Sequence, residues 1–371
     1  MGALRVVVAG WVLSLALIMS GCSGREDAVP DPPEGTPEPA AEPEPVVAEA
    51  AAAEPVAVIA DLHVDTITAM MTGNVPWTDE SLEAPLPALR EAGVNVVVQA
   101  AWIPRGDPDP RGTALGKLRR IRSMVQASGG AAAIVTGPGQ LERVVAEGRI
   151  AVILSLEGGT ALTDGEATLR ELREIGLSMV GLTWSESSQY ADSSATPRRG
   201  AAGGLTDAGR ELVVTCNSMG LILDVSHMSD RATAETVALS TAPVVASHSN
   251  VRALCDVPRN LNDELLTTIS ERGGLVGAMF HGPYVVPGRR ATRADVVAQI
   301  LGLVDRIGAD HVALGSDWDG IIKAPEGLAG PRDLGALRTD LQAAGLSQEQ
   351  VDDVFGRSFV RLWKDVARAT D

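Results

Sequence analysis

Three of the five histidines in this 371-residue chain stand in company with carboxylates: His63 two places before Asp65, then Glu157, His227, His248 and Asp317. Imidazole nitrogen and carboxylate oxygen are a donor set suited to zinc and similar divalent ions. No Cys-x-x-Cys pair offers a thiolate site instead. Alternate residues of an extended segment project to one side, so His63 and Asp65 can reach a single ion. These six candidate ligands exceed the needs of one tetrahedral zinc, and a pair of ions about 3.5 to 4 Å apart is the natural inference. Such a pair needs a shared ligand. A carbamylated lysine could serve, but Lys117 and Lys364 lie far from any predicted strand end and Lys323 falls beyond the Asp317 motif, which leaves Glu157. The other two histidines read differently. His311 begins a predicted strand, at the end away from the chemistry, whereas His281 closes a strand facing the pocket but has no sequence neighbour that marks it as a ligand.

Residues so widely separated meet only if repeated elements deliver them to one place. From residue 56 onward, short β-branched runs alternate with helix-period segments, the pattern of βα units around a parallel sheet. Eight runs are expected, at 56–60, 95–100, 150–156, 179–183, 221–225, 243–247, 275–280 and 311–315. Amphipathic stretches such as 206–219 and 291–307 separate them, and a helical tail covers 331–369. Eight such units predict an α/β fold, a (β/α)8 TIM barrel, with its active site at the C-terminal ends of the strands. The candidate ligands fall at those ends: His63 and Asp65 after the first run, Glu157 after the third, His227 after the fifth, His248 after the sixth and Asp317 after the eighth. A doubly wound sheet is the rival, but it calls for a glycine-rich phosphate turn after the first strand, and Leu62-His63-Val64-Asp65 has none.

The formal charge is -17, and three lysines among 31 basic residues form no stripe that could follow a phosphate backbone, which argues against a nucleic-acid partner. At the N-terminus, Arg5 precedes an apolar run over 6–18, shorter than the ~20 residues of a membrane span. Met19-Ser20-Gly21-Cys22 follows, resembling a bacterial lipobox with Met in place of the usual Leu. Residues 1–22 are thus expected to be a lipoprotein signal peptide, with Cys22 acylated and held in the lipid bilayer. Ser23 rather than Asp after the cysteine points to the outer membrane or cell surface. Residues 23–55 are dominated by Ala, Pro, Glu and Val and carry nine acids against Arg25 alone, the composition of an extended, self-repelling tether. The catalytic domain is expected over 56–371. Cys216 and Cys255 remain as buried thiols, too few for a disulfide framework.

Three segments carry a wider likeness: Asp224-Val225-Ser226-His227-Met228-Ser229, Ala246-Ser247-His248-Ser249-Asn250 and Gly315-Ser316-Asp317-Trp318-Asp319-Gly320, joined by Leu156-Glu157-Gly158-Gly159 and Pro258-Arg259-Asn260. In order and spacing, from about Asp61 to the C-terminal helices, the chain resembles the renal (membrane) dipeptidase family of zinc peptidases. The resemblance implies that His63 and Asp65 hold one Zn2+, that His227 and His248 hold the other, and that Glu157 bridges the two. It further implies that Asp317 is the acid/base, that a hydroxide between the metals cleaves a dipeptide, and that Arg259 and Tyr284 hold the substrate's free carboxylate. By residue type alone, Arg259 reads as solvated. Homodimers occur in the family. One departure stands out: mammalian members carry a substrate-contacting histidine at the end of the fourth strand, where Leu182-Thr183-Trp184-Ser185 places Trp184, read here as an apolar pocket wall. Two other functions fit the same residues less closely: a binuclear amidohydrolase acting on a lactone, cyclic amide or phosphoester, or a surface-tethered binding protein that has lost catalysis.

Overall fold

In the computed structural model, which describes residues 57–196, 203–321 and 324–370, every paired strand runs parallel to its neighbours. The strands are β1 (Ala60–Val64), β2 (Val96–Trp102), β3 (Ala132–Ile134), β4 (Ile150–Glu157), β5 (Leu177–Gly181), β6 (Ile222–Asp224), β7 (Val245–Ser249), β8 (Leu275–Ala278) and β9 (Val312–Leu314). Strand β2 pairs with both β1 and β4, and β9 returns to β1, so eight strands close into a barrel with helices around it. The fold is the (β/α)8 barrel. The short β3 is an addition that the sequence did not announce. It lies against the first half of β4, from Ile150 to Val152, while β5 takes the remainder of that edge from Leu154 onward.

Two predicted strands start too early. The first begins at Ala60 rather than 56, so His63 lies within it, and the sixth barrel strand is Val245–Ser249 rather than 243–247, so His248 lies within it as well. The signal peptide, Cys22 and the tether fall outside the described residues, as does Lys323.

One face of every barrel strand contributes to an inner apolar cluster: Ala60, Leu62, Val96, Val98, Ala151, Ile153, Met179, Ile222, Val245, Leu275 and Ala313. The helix Ser358–Arg368 joins that cluster with Phe359, Leu362, Trp363 and Val366, an i, i+3, i+4, i+7 stripe. The opposite strand faces, including Val97, Val152, Leu154, Val180, Leu223, Val276 and Leu314, belong to the outer cluster shared with the surrounding helices. On β1, Ala60 and Leu62 are inner residues while Val64 is an outer one, and the register slips between Asp61 and Val64. A similar slip separates Ala246 from Ser249 on β7. These irregularities re-aim the last residues of each strand, as β-bulges do beside active sites.

Candidate metal centre

The mouth of the barrel gathers five of the sequence-derived ligands within reach of one another, and Glu157, the last residue of β4, stands at their centre. Its Oε1 lies 2.9 Å from His227 Nε2 and 3.5 Å from His248 Nε2. Its Oε2 faces the other way and lies 3.6 Å from His63 Nε2. His63 Nε2 is in turn 3.8 Å from Asp65 Oδ2 and 3.8 Å from Asp317 Oδ1.

These spacings suit cations. His227 and His248 Nε2 atoms approach to 3.0 Å. Atoms bound to one tetrahedral zinc at 2.0–2.1 Å sit roughly 3.3 Å apart, so both imidazoles and Glu157 Oε1 converge as one ligand set would. Donor accounting fixes the orientation of His248. The single hydroxyl proton of Ser247 goes to Asp224 Oδ2 at 2.5 Å, so its Oγ accepts from His248 Nδ1 at 2.8 Å and leaves Nε2 as a bare lone pair. Both ring nitrogens of His63 and Oδ1 of Asp65 are buried without a hydrogen-bond partner. Buried polar atoms left in that condition are costly, and a second cation beside Glu157 Oε2 would satisfy His63 Nε2, though not Nδ1 on the other side of the ring.

Burial pushes Glu157 up to about 7 and raises Asp65, in both cases against the pull of His63. Burial also holds His227 and His248 well below the ordinary imidazole range, which keeps them neutral and ready to ligate. For His63 burial acts downward too, but Glu157 and Asp65 outweigh it and hold the ring well above its usual value. Burial would raise Asp317, yet His281, His63 and Arg259 together bring it below the usual carboxylate range.

The backbone is specialised at the same spot. His227, Asp317 and Asp319 all adopt left-handed conformations, at φ 67, 64 and 63°. Such geometry persists where neighbours over-determine it. Asp224 accepts from the backbone N–H of Ser226, next to His227, and of Ser247, next to His248, and Asp317 N donates to His63 O. Asp319 accepts from Thr66 Oγ1 and from the backbone of Glu83 and Ala84, tying the loop after β9 to the segments that follow β1. Gly277 and Gly315 permit close approach, because a Cβ on either would sit within 1.9 Å of Ser247 O.

A cavity of about 340 Å³ opens above this cluster, lined by Asp65, Glu157, His227 and Asp317, by Trp102 and Trp184, and by His281 and Tyr284. Trp184 meets Trp102 edge-on at 4.9 Å between ring centroids, and the two indoles wall one side. A larger hollow of about 720 Å³ lies against the Ser358–Arg368 helix and contains none of the candidate ligands.

Three readings need correction. Arg259 is not solvated: it is buried, with Nη1 donating to Ser249 Oγ and Nη2 to His248 O, and it stands behind the cavity lining. Lys117 does come to a strand end, since Nζ of this buried residue donates to Trp102 O, at the end of β2, and to Thr68 Oγ1. His281 does have a partner in space, with Nδ1 3.3 Å from Asp317 Oδ2 and its ring stacked on Tyr284. No local signal marks these last two, because their partners lie on other βα units. His311, at the far end of β9, has Nδ1 2.8 Å from Gly274 O. Cys216 and Cys255 are free and buried.

Comparison with known proteins agrees with this geometry. Residues 48–371 match the membrane dipeptidase family, peptidase family M19. A Klebsiella pneumoniae protein named only for its position in the pqqA 5' region is 32% identical over 268 residues, covering 70% of this chain and 97% of its own. The dipeptidase aclJ of Aspergillus oryzae is 35% identical over 221 residues, 59% of this chain, which thus spans about half (52%) of that longer relative. Among solved structures, a metallopeptidase from Rhodobacter sphaeroides, crystallised with a phosphinate mimic of the dipeptide L-Ala-D-Ala, superposes with a TM-score of 0.77 at 26% identity over 84% of this chain and 99% of its own. With its barrel, its buried histidine and carboxylate cluster and a family match over nearly the whole described region, the chain belongs to the membrane dipeptidase family of metallopeptidases.

Proposed function

We propose that this protein is a two-zinc dipeptidase, with His63 and Asp65 holding one Zn2+, His227 and His248 the other, and Glu157 shared between them. The observation that carries this reading is the division of Glu157, one oxygen toward each histidine set. Bound there, the two ions would supply a water activated near neutral pH and a Lewis acid for the scissile carbonyl. Asp317 then has the proton work. Its carboxylate reaches the cavity beside His63 and is held in its ionised form, so it can take the attacking water's proton and pass it to the departing amine. Tyr284 lines the same cavity and receives the substrate's free carboxylate. Arg259 supports that end with its charge, its two Nη atoms being engaged elsewhere and its Nε unpartnered. Grip at both ends makes the cleft measure a dipeptide. Trp184 stands as an indole wall and supplies no imidazole, which narrows the accepted substrates.

The test is zinc quantification with a dipeptide panel that includes L,D pairs and C-terminal amides. About two zincs per chain and a sharp rise in KM on amidation are expected. A metal-free protein after reconstitution, or equal KM for acid and amide, overturns the reading. The Asp317→Asn variant should keep zinc and lose turnover by about 10²- to 10⁴-fold, read by steady-state kinetics.

The N-terminal 22 residues are proposed to be a lipoprotein signal, with acylated Cys22 anchoring the enzyme in the outer membrane through the acidic tether. Support comes from the lipobox-like residues and from the tether's composition. Among the described residues no helix is long and apolar enough to cross a membrane.

A further inference from the structure

We propose that His281 is a positioning residue for catalysis, orienting the Asp317 carboxylate through Nδ1. The inference rests on the reading of Asp317 as the acid/base. His281 is buried at the C-terminal mouth of the barrel, where the short helix Gly282–Val285 begins. Its Nδ1 has no hydrogen-bond partner of good geometry, and the nearest acceptor described for it is Asp317 Oδ2 at 3.3 Å. The ring cannot swing away, because Tyr284 stacks on it with centroids 5.0 Å apart and planes 20° from parallel.

Asp317 needs such a constraint. Its Oδ1 faces His63 Nε2 at 3.8 Å and its Oδ2 faces His281, so two rings divide the carboxylate between them. On a third side stands Gly320, where a Cβ would sit 3.1 Å from Oδ1 and 2.9 Å from the Asp317 carbonyl oxygen, so glycine leaves the carboxylate the room it occupies. An acid/base must present one oxygen to the proton it moves, and a carboxylate free to rotate about χ2 presents either. An Nδ1–H donor is available on the neutral ring as well as on the imidazolium, so the constraint does not depend on the charge of His281. Because the same ring stacks on Tyr284, occupation of the carboxylate end of the cleft and the orientation of Asp317 are mechanically linked.

The asparagine side chain places an amide N–H close to where Nδ1 stands, whereas phenylalanine keeps the stack on Tyr284 and removes the donor. His281→Phe should lower kcat about 10- to 100-fold with KM within about threefold of the parent, while His281→Asn restores kcat to within about threefold. Zinc content and Tm should be unchanged in both. In an Asp317→Asn background, His281→Phe should cost little more, because the two side chains act as a unit. Equal losses in the Phe and Asn variants, loss of bound zinc, or a full further loss in the Asp317→Asn background would each overturn the assignment. An Asp317→Asn enzyme with parental turnover would instead remove the reading of Asp317 on which it rests.

Discussion

Ser247 and Asp224 lie outside the cavity lining, yet they decide which nitrogen of His248 faces the centre. Ser247→Ala removes the acceptor for Nδ1 and frees the ring to change tautomer, so zinc affinity should fall about 10- to 100-fold, measured by competition with a chelator. Proton linkage gives a second check. In the metal-free site Glu157 sits at about 7 and His63 well above the usual imidazole value, so both carry protons that a metal must displace. Zinc affinity should therefore weaken as pH falls through 7, with proton release visible when calorimetry is repeated in buffers of different ionisation heat. His227 and His248, already neutral through burial, should add nothing to that release. Single residue types were enough to nominate the ligands, since an imidazole or carboxylate at a strand end has few other uses in such numbers. They could not reveal Lys117, Arg259 or His281 as buried, because burial belongs to the neighbours.

At the scale of the element, the strands do more than carry ligands forward. The register slips on β1 and β7 turn the chain so that His63 and His248 reach the mouth although Leu62 and Val245 fill the interior below. A period-2 pattern read along the sequence cannot foresee such a slip. The slip on β7 is matched by Gly277 on the adjoining β8 and by Gly315 just past β9. Gly315→Ala would set a Cβ 1.8 Å from Ser247 O, backbone that cannot yield without moving His248. The expected result is loss of bound zinc together with a lowered Tm, whereas Gly335→Ala, where a Cβ meets nothing within 4 Å, should leave both unchanged. The Ser358–Arg368 helix supports the inner strand faces, and truncating its fully buried Trp363 to Ala should cost about 3–5 kcal/mol in denaturant unfolding. That helix was foreseeable from its stripe of Phe359, Leu362, Trp363 and Val366; the short β3 was not, because Ala132-Ala133-Ile134 is too brief to stand out.

For the whole molecule, the proposed anchor and the catalytic barrel should separate cleanly. Cys22→Ser should move the protein from the membrane to the soluble fraction while kcat/KM on a dipeptide stays within about twofold, since all six candidate ligands lie from His63 onward. A fall in turnover on release would tie catalysis to the membrane. The sequence by itself determined the class of fold and the donor set: eight β-branched runs between helical stretches leave few closed parallel arrangements, and a strand end in such a barrel points at the active-site face. Residue types alone left open how those donors divide; the resemblance implied a division, and the tertiary structure supplies the distances behind it. Glu157 turns one oxygen to His63 and the other to His227 and His248, and Asp317 lies between His63 and His281, because barrel closure brings β1, β4, β6, β7, β8 and β9 around one axis. Distances of 3 to 4 Å between residues tens to hundreds of positions apart depend on shear, bulges and packing, and these are properties of the closed sheet as a whole.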